Sequence, residues 1–144
     1  MQNKPYSSKH PVVGQFFFLI LMSILGLIVL TLSLPWYTQV IAAQNYLQSV
    51  SKLGLEASAS LPVTLSLLAL LFVIGLHPQK ALTGSRLKII FFSGLWIMLY
   101  SSAYFCMITA TQYATPGFGT LIAIIGGIIL MFVCVVIYTK EKYK

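Results

Sequence analysis

Few side chains in this sequence can do chemistry, and they lie far apart. The chain holds two histidines, two cysteines and two acidic residues, with no aspartate among them. His10 and His77 fall at the ends of apolar runs, so neither pairs at mid-membrane as haem or metal ligands would. Cys106 and Cys134 are single thiols without C-x-x-C spacing, which leaves disulfide exchange without its second sulfur. Their positions near opposite ends of two apolar runs imply a depth difference of ~15 Å at the helical rise. A disulfide tolerates ~7 Å between Cα atoms. Hydrolytic acid/base pairs and proton relays need buried carboxylates, and Glu56 and Glu141 both lie outside the apolar runs. The glycines of the last run sit in apolar sequence where no phosphate would go. The expectation is a protein that is not an enzyme, with no catalytic residue, no metal and no cofactor.

Recognition of an aromatic or apolar molecule is better represented. Phe92, Trp96, Tyr100 and Tyr104 recur every fourth residue, a slowly drifting stripe along one side of a helix. Such a stripe can wall a pocket, and Trp96, Tyr100 and Tyr104, with Glu56 at an outer mouth, are the candidate ligand-binding residues. Two tyrosyl hydroxyls at that depth need partners, and Thr31, Thr64 and Ser66 on neighbouring runs can supply them. The simpler use of the stripe is packing, in a bundle core or against lipid. Glu56 has a simpler reading too. It precedes a helix beginning near Ser58 or Ser60, whose positive end favours a carboxylate, with Pro62 in the first turn.

These residues are carried by four nearly continuous apolar runs. The sequence is 58% hydrophobic and 8% charged over 144 residues, against roughly 25% charged in an average soluble domain. The runs predict helices at about 16–34, 57–76, 89–110 and 118–138, and none of their cores contains Asp, Glu, Lys, Arg or His. A span of ~30 Å needs roughly 20 apolar residues. The second run, about Leu61 to Leu76, reaches that length by extension through residues 57–60. The predicted fold is therefore a single all-α membrane domain: a four-span bundle with both termini cytoplasmic and one longer outer loop between spans one and two.

The orientation rests on the basic residues, which resist translocation when they lie in short loops. Eight of nine fall on one side of this model: Lys4 and Lys9, then Lys80, Arg86 and Lys88, then Lys140, Lys142 and Lys144. Lys52 alone lies opposite. The formal net charge of +7 is scattered over three short segments and forms no basic face, so nucleic acid is not an expected partner. Membrane lipid is, along with other membrane proteins or a second copy of the chain.

SLPWYTQV, residues 33–40, closes the first run. A secretory signal has an apolar core of roughly 7–15 residues before small residues, whereas this core is longer and Pro35, Trp36 and Tyr37 follow it. Pro35 ends the helix, and Trp36 and Tyr37 read as membrane-interface anchors. Beyond them, Val40, Ala43, Leu47, Val50 and Gly54 give one apolar stripe if the loop is helical. Val40, Tyr46 and Val50 suit a strand as well. TQYATPGFG, between runs three and four, reads as a tight turn.

Small residues mark helix contacts within a bilayer, because lipid offers no hydrophobic drive to associate. Gly119, Ala123 and Gly127 line one face of the fourth run and are the candidate packing seam, widened by Gly126. Gly94, Ser101, Ser102 and Thr109 form a similar face on the third run.

PWYTQV after run one, Gly54 to Glu56 with Pro62 soon after, and TPGFGTLIAIIGG opening run four together resemble a group of small four-span membrane proteins found beside tryptophan-biosynthesis genes in actinobacteria. The similarity covers about residues 12–138. That group has no established activity, so the resemblance implies a membrane fold and no catalytic residues. Two other four-span groups are excluded by residues. Gly94-Leu95-Trp96 lies inside run three rather than in a first outer loop with two cysteines, and no membrane-buried glutamate of the small-exporter type occurs. The expected function is that of a non-enzymatic accessory or structural subunit in a cell membrane, multi-pass, such as a bacterial inner membrane. The alternative is a carrier or binding protein for a small apolar or aromatic compound.

Overall fold

The computed structural model describes residues 11–43, 46–57, 60–76 and 84–142. It contains four helices, α1 (Pro11–Thr31), α2 (Ser60–Leu76), α3 (Gly84–Thr109) and α4 (Phe118–Lys142), and three strands, β1 (Pro35–Ala43), β2 (Tyr46–Leu53) and β3 (Ala114–Pro116). His10 and His77 lie outside the described residues.

The helix ends follow from local chemistry. The last turn of α1 tightens through Leu32, Ser33 and Leu34, whose N–H groups donate to Val29, Leu30 and Thr31 at 3.0–3.2 Å. Pro35 then prevents continuation. At the end of α3 the hydroxyls of Thr109 and Thr111 donate to the carbonyls of Cys106 and Met107, and the Cys106 carbonyl also accepts from the Ala110 N–H at 3.1 Å, so side chains and backbone close the last turn together. Pro62 sits in the first turn of α2, where a missing N–H costs nothing.

Each helix buries one stripe. On α1 it is Leu21, Leu25 and Ile28; on α2, Val63, Leu67, Leu70 and Ile74. α4 lies on α3 along much of its length, α1 packs on α4 and α2 on α3, while α1 and α2 meet only slightly. The opposite faces are apolar too, with Leu30, Leu65, Phe72, Phe92 and Phe132 among the large exposed side chains. Helices apolar on both faces suit a lipid surround.

Two expectations are corrected here. The all-α four-span bundle is wrong, because the connections between helices fold into an antiparallel sheet of order β2-β1-β3. Among the described residues, two helices, α3 and α4, are long and apolar enough to cross a membrane, while the apolar stretches Phe18–Thr31 and Leu61–Gly75 are shorter. The loop after α1, for which helix and strand were both open, is extended. Its Val40, Ile41 and Val50 are β-branched and pack well on a pleated surface, and β1 finds a partner on each side. Gln39 stands opposite Val50 of β2 and opposite Ala114 of β3. The segment read as a tight turn supplies that third strand, and Pro116 is tolerated because β3 is an edge.

Candidate functional site

Trp36 holds the sheet to the helices. Its ring is entirely buried, and its Nε1–H donates to the Thr31 carbonyl at 2.8 Å. Its own carbonyl accepts twice, from the Gly117 N–H at 2.8 Å and from the Thr120 hydroxyl at 2.7 Å. Thr31, Trp36, Gly117 and Thr120 thereby tie α1, β1, the β3–α4 junction and the first turn of α4 together. Two glycines make room for the ring. A Cβ on Gly54 would lie 2.5 Å from Trp36 Nε1, and one on Gly119 would lie 2.5 Å from Trp36 Cδ1. The ring therefore faces protein and not lipid headgroups. Tyr37, half-buried, also turns inward, its ring 6.1 Å from that of Tyr104.

The aromatic stripe of α3 is divided among three environments. Tyr104 is buried beneath the sheet, its ring 5.8 Å from Trp36. Trp96 and Tyr100 remain together, ring centroids 5.0 Å apart, on the wall of an open groove of about 360 Å³ between α2 and α3. Phe92 lines a different groove, between α3 and α4. The stripe does not wall an interior pocket, since Trp96 is 54% and Tyr100 38% exposed. Four-residue spacing drifts around a helix of 3.6 residues per turn, and over twelve residues that drift carries Tyr104 away from Phe92.

The groove joins Leu65, Ser66 and Ala69 of α2 to Ser93, Trp96 and Tyr100 of α3. Ser66 donates its hydroxyl proton to the Pro62 carbonyl at 2.9 Å, so its oxygen faces the groove as an acceptor only. Ser93 is 5% exposed and makes no hydrogen bond to a described residue. Of the hydroxyls expected beside the stripe, Ser66 is there, while Thr31 instead donates to the Ile28 carbonyl. Ser93 was not among the expected residues, although it lies three positions before Trp96 and so on the same helix face.

The small residues of α4 meet three different neighbours. Gly127 faces Gly94 of α3, where a Cβ would come within 2.8 Å of the Gly94 carbonyl oxygen; Gly126 faces Ile28 of α1; Gly119 faces Trp36. Ala123 is buried between them.

Glu56 lies apart from the groove, exposed in the 3-10 turn Gly54–Glu56. Its Oε2 accepts from the Leu53 N–H at 3.4 Å, a long contact within its own turn. Cys106 is exposed, Cys134 is buried, and both are free thiols. Among the described residues, no three of His, Cys, Asp and Glu come together. No protein-family model matches the chain, and no curated protein is significantly similar to it.

Proposed function

We propose that the chain is a multi-pass integral membrane protein without catalysis of its own, an accessory or structural subunit that presents a fixed β-sheet at one end of its helices. The observation that carries this reading is the clasp on Trp36. Three hydrogen-bonding groups from separated segments converge on one residue, so the sheet is mounted rigidly rather than tethered by loops. A rigid platform lowers the entropic cost of engaging a partner. Beyond the platform, the outward faces of the helices offer apolar surface to lipid or to neighbouring spans.

In this reading α3 and α4 cross the bilayer. Arg86 and Lys88 open α3, while Lys140 and Lys142 close α4, so the basic residues flank one end of this helical pair and the sheet lies at the other. Positive charge favours the cytoplasmic side, which places the sheet outside. The hairpin of β1 and β2 exposes Val40, Ile41 and Leu47, apolar side chains available to a partner.

Photo-crosslinking from Leu47 in intact cells, followed by identification of the trapped protein, is the test. A single predominant adduct is expected, lost when Trp36→Ala loosens the mount. Retention of the chain in the soluble fraction after alkaline extraction would sink the membrane assignment itself.

A further inference from the structure

The groove between α2 and α3 carries more polar capacity than packing requires. Ser93 is nineteen-twentieths buried and lines the groove, yet its hydroxyl has no partner among the described residues. Its oxygen is open to the groove rather than sealed in the core, whereas helical serines commonly bond to the carbonyl four residues back. Ser66, across the groove, does so. Ser93 does not. Trp96 stands near the midpoint of α3 (Gly84–Thr109), more than half exposed, and its indole N–H has no partner among the described residues either. Tryptophan in membrane helices belongs at the interfaces, where its N–H reaches water, so a mid-helix indole facing outward lacks that explanation. Ser93, Trp96 and Tyr100 share one face of α3 at spacings of three and four.

We propose that this groove binds a small, uncharged aromatic molecule bearing one hydroxyl or carbonyl group. The Trp96 and Tyr100 rings supply the stacking surface. Ser93 and the Trp96 indole donate to the ligand oxygen, and the Ser66 oxygen accepts a proton if the ligand has one. Among the described residues no charged side chain lines the groove, which disfavours an ionised ligand at this depth. Its volume of about 360 Å³ is at the lower end for ligand sites and suits one or two fused rings better than a two-chain lipid. The site does not depend on the subunit reading, and either can stand if the other fails.

The test uses the full chain in dodecyl maltoside, with 2-naphthol as probe, naphthalene as its control lacking the hydroxyl, and equilibrium dialysis as readout. Saturable binding of one 2-naphthol per chain is expected. Ser93→Ala is expected to weaken it about tenfold, the worth of one hydrogen bond, and to leave naphthalene uptake and the ligand-free melting temperature unchanged. Ala69→Phe, at an exposed position on the groove wall, is expected to abolish it. Equal uptake of 2-naphthol by the native chain and Ser93→Ala would reveal partition into the micelle and overturn the proposal. A phospholipid retained by the native chain in native mass spectrometry and lost from Ala69→Phe would also overturn it, by assigning the groove to lipid. Should Ala69→Phe fail to fold, the Ser93→Ala comparison decides alone.

Discussion

The indole of Trp36 and the backbone of Gly119 are in such close contact that no side chain fits between them. A Cβ at position 119 would lie 2.5 Å from Cδ1 and 2.9 Å from Nε1 of the ring. One residue belongs to the strand after α1 and the other to the first turn of α4, so their contact fixes the sheet against the helix that it caps.

Removing the ring is therefore expected to be the most damaging single change at this end of the molecule. Trp36→Ala should lose about 3–5 kcal/mol, the usual range for a buried aromatic. Trp36→Phe keeps a ring and loses the bond to Thr31, and should lose about 1 kcal/mol more than its volume change alone. Denaturant titration in detergent, followed by circular dichroism, measures both. Equal stability of the alanine variant and the native chain would refute the clasp.

Thr120→Val removes one of two donors to the Trp36 carbonyl. The Gly117 N–H remains, so the acceptor is not orphaned and the loss should stay near about 1 kcal/mol. Thr120→Ser, which keeps the hydroxyl, should restore most of it. A serine variant no better than valine would mean that the methyl, and not the bond, was important.

The register of the hairpin can be trapped covalently. Thr38 stands opposite Ser51, their hydroxyl oxygens 3.1 Å apart. In a background carrying Cys106→Ser and Cys134→Ala, the pair Thr38→Cys and Ser51→Cys should oxidise to a disulfide, because directly opposed residues bring their Cβ atoms into bonding range. The offset pair Thr38→Cys and Val50→Cys should not, since a one-residue shift sends the side chain to the other face. Gel mobility with and without reductant reads the result.

Gly127→Leu tests the closest approach of α3 and α4. A Cβ there would fall 2.8 Å from the Gly94 carbonyl oxygen and 3.0 Å from the Met98 nitrogen, both backbone atoms that cannot move aside. The expected outcome is a lower yield of folded protein and a changed elution volume in detergent. Unchanged melting and unchanged size would show that the helices do not meet there.

The four helices were legible because each is written locally: an apolar run, then Pro35, or Pro62 in a first turn, or Pro116-Gly117 before Phe118. The sheet was not, for two physical reasons. Val40, Leu47 and Val50 satisfy a helical spacing and an extended one equally, and the choice falls to hydrogen-bond partners elsewhere. β1 finds one of those partners in a three-residue segment, Ala114–Pro116, too short to leave a periodicity of its own. Burial of Trp36 is equally non-local. A tryptophan after a proline at the end of an apolar run reads as an interface anchor, and what draws it inward is Gly119 and the Thr120 hydroxyl, the latter 84 positions away. The drift that separated Tyr104 from Phe92 was calculable from the helical period alone, and Ser93 was recoverable from the same wheel.

The pairing of β1 with β3 imposes an order on assembly. During synthesis the hairpin of β1 and β2 emerges with one flank of β1 unpaired, and the residues that cover it arrive only when Ala114 to Pro116 have been made. At 5–20 residues per second, the roughly sixty residues of further elongation between Leu53 and Pro116 leave that flank open for roughly 3–13 s. The same interval passes before Gly119 and Thr120 exist to seat the indole of Trp36. A nascent chain stalled within α3 thus carries an open strand edge and an unseated tryptophan, which together mark it as unfinished to any chaperone or protease that recognises exposed apolar surface.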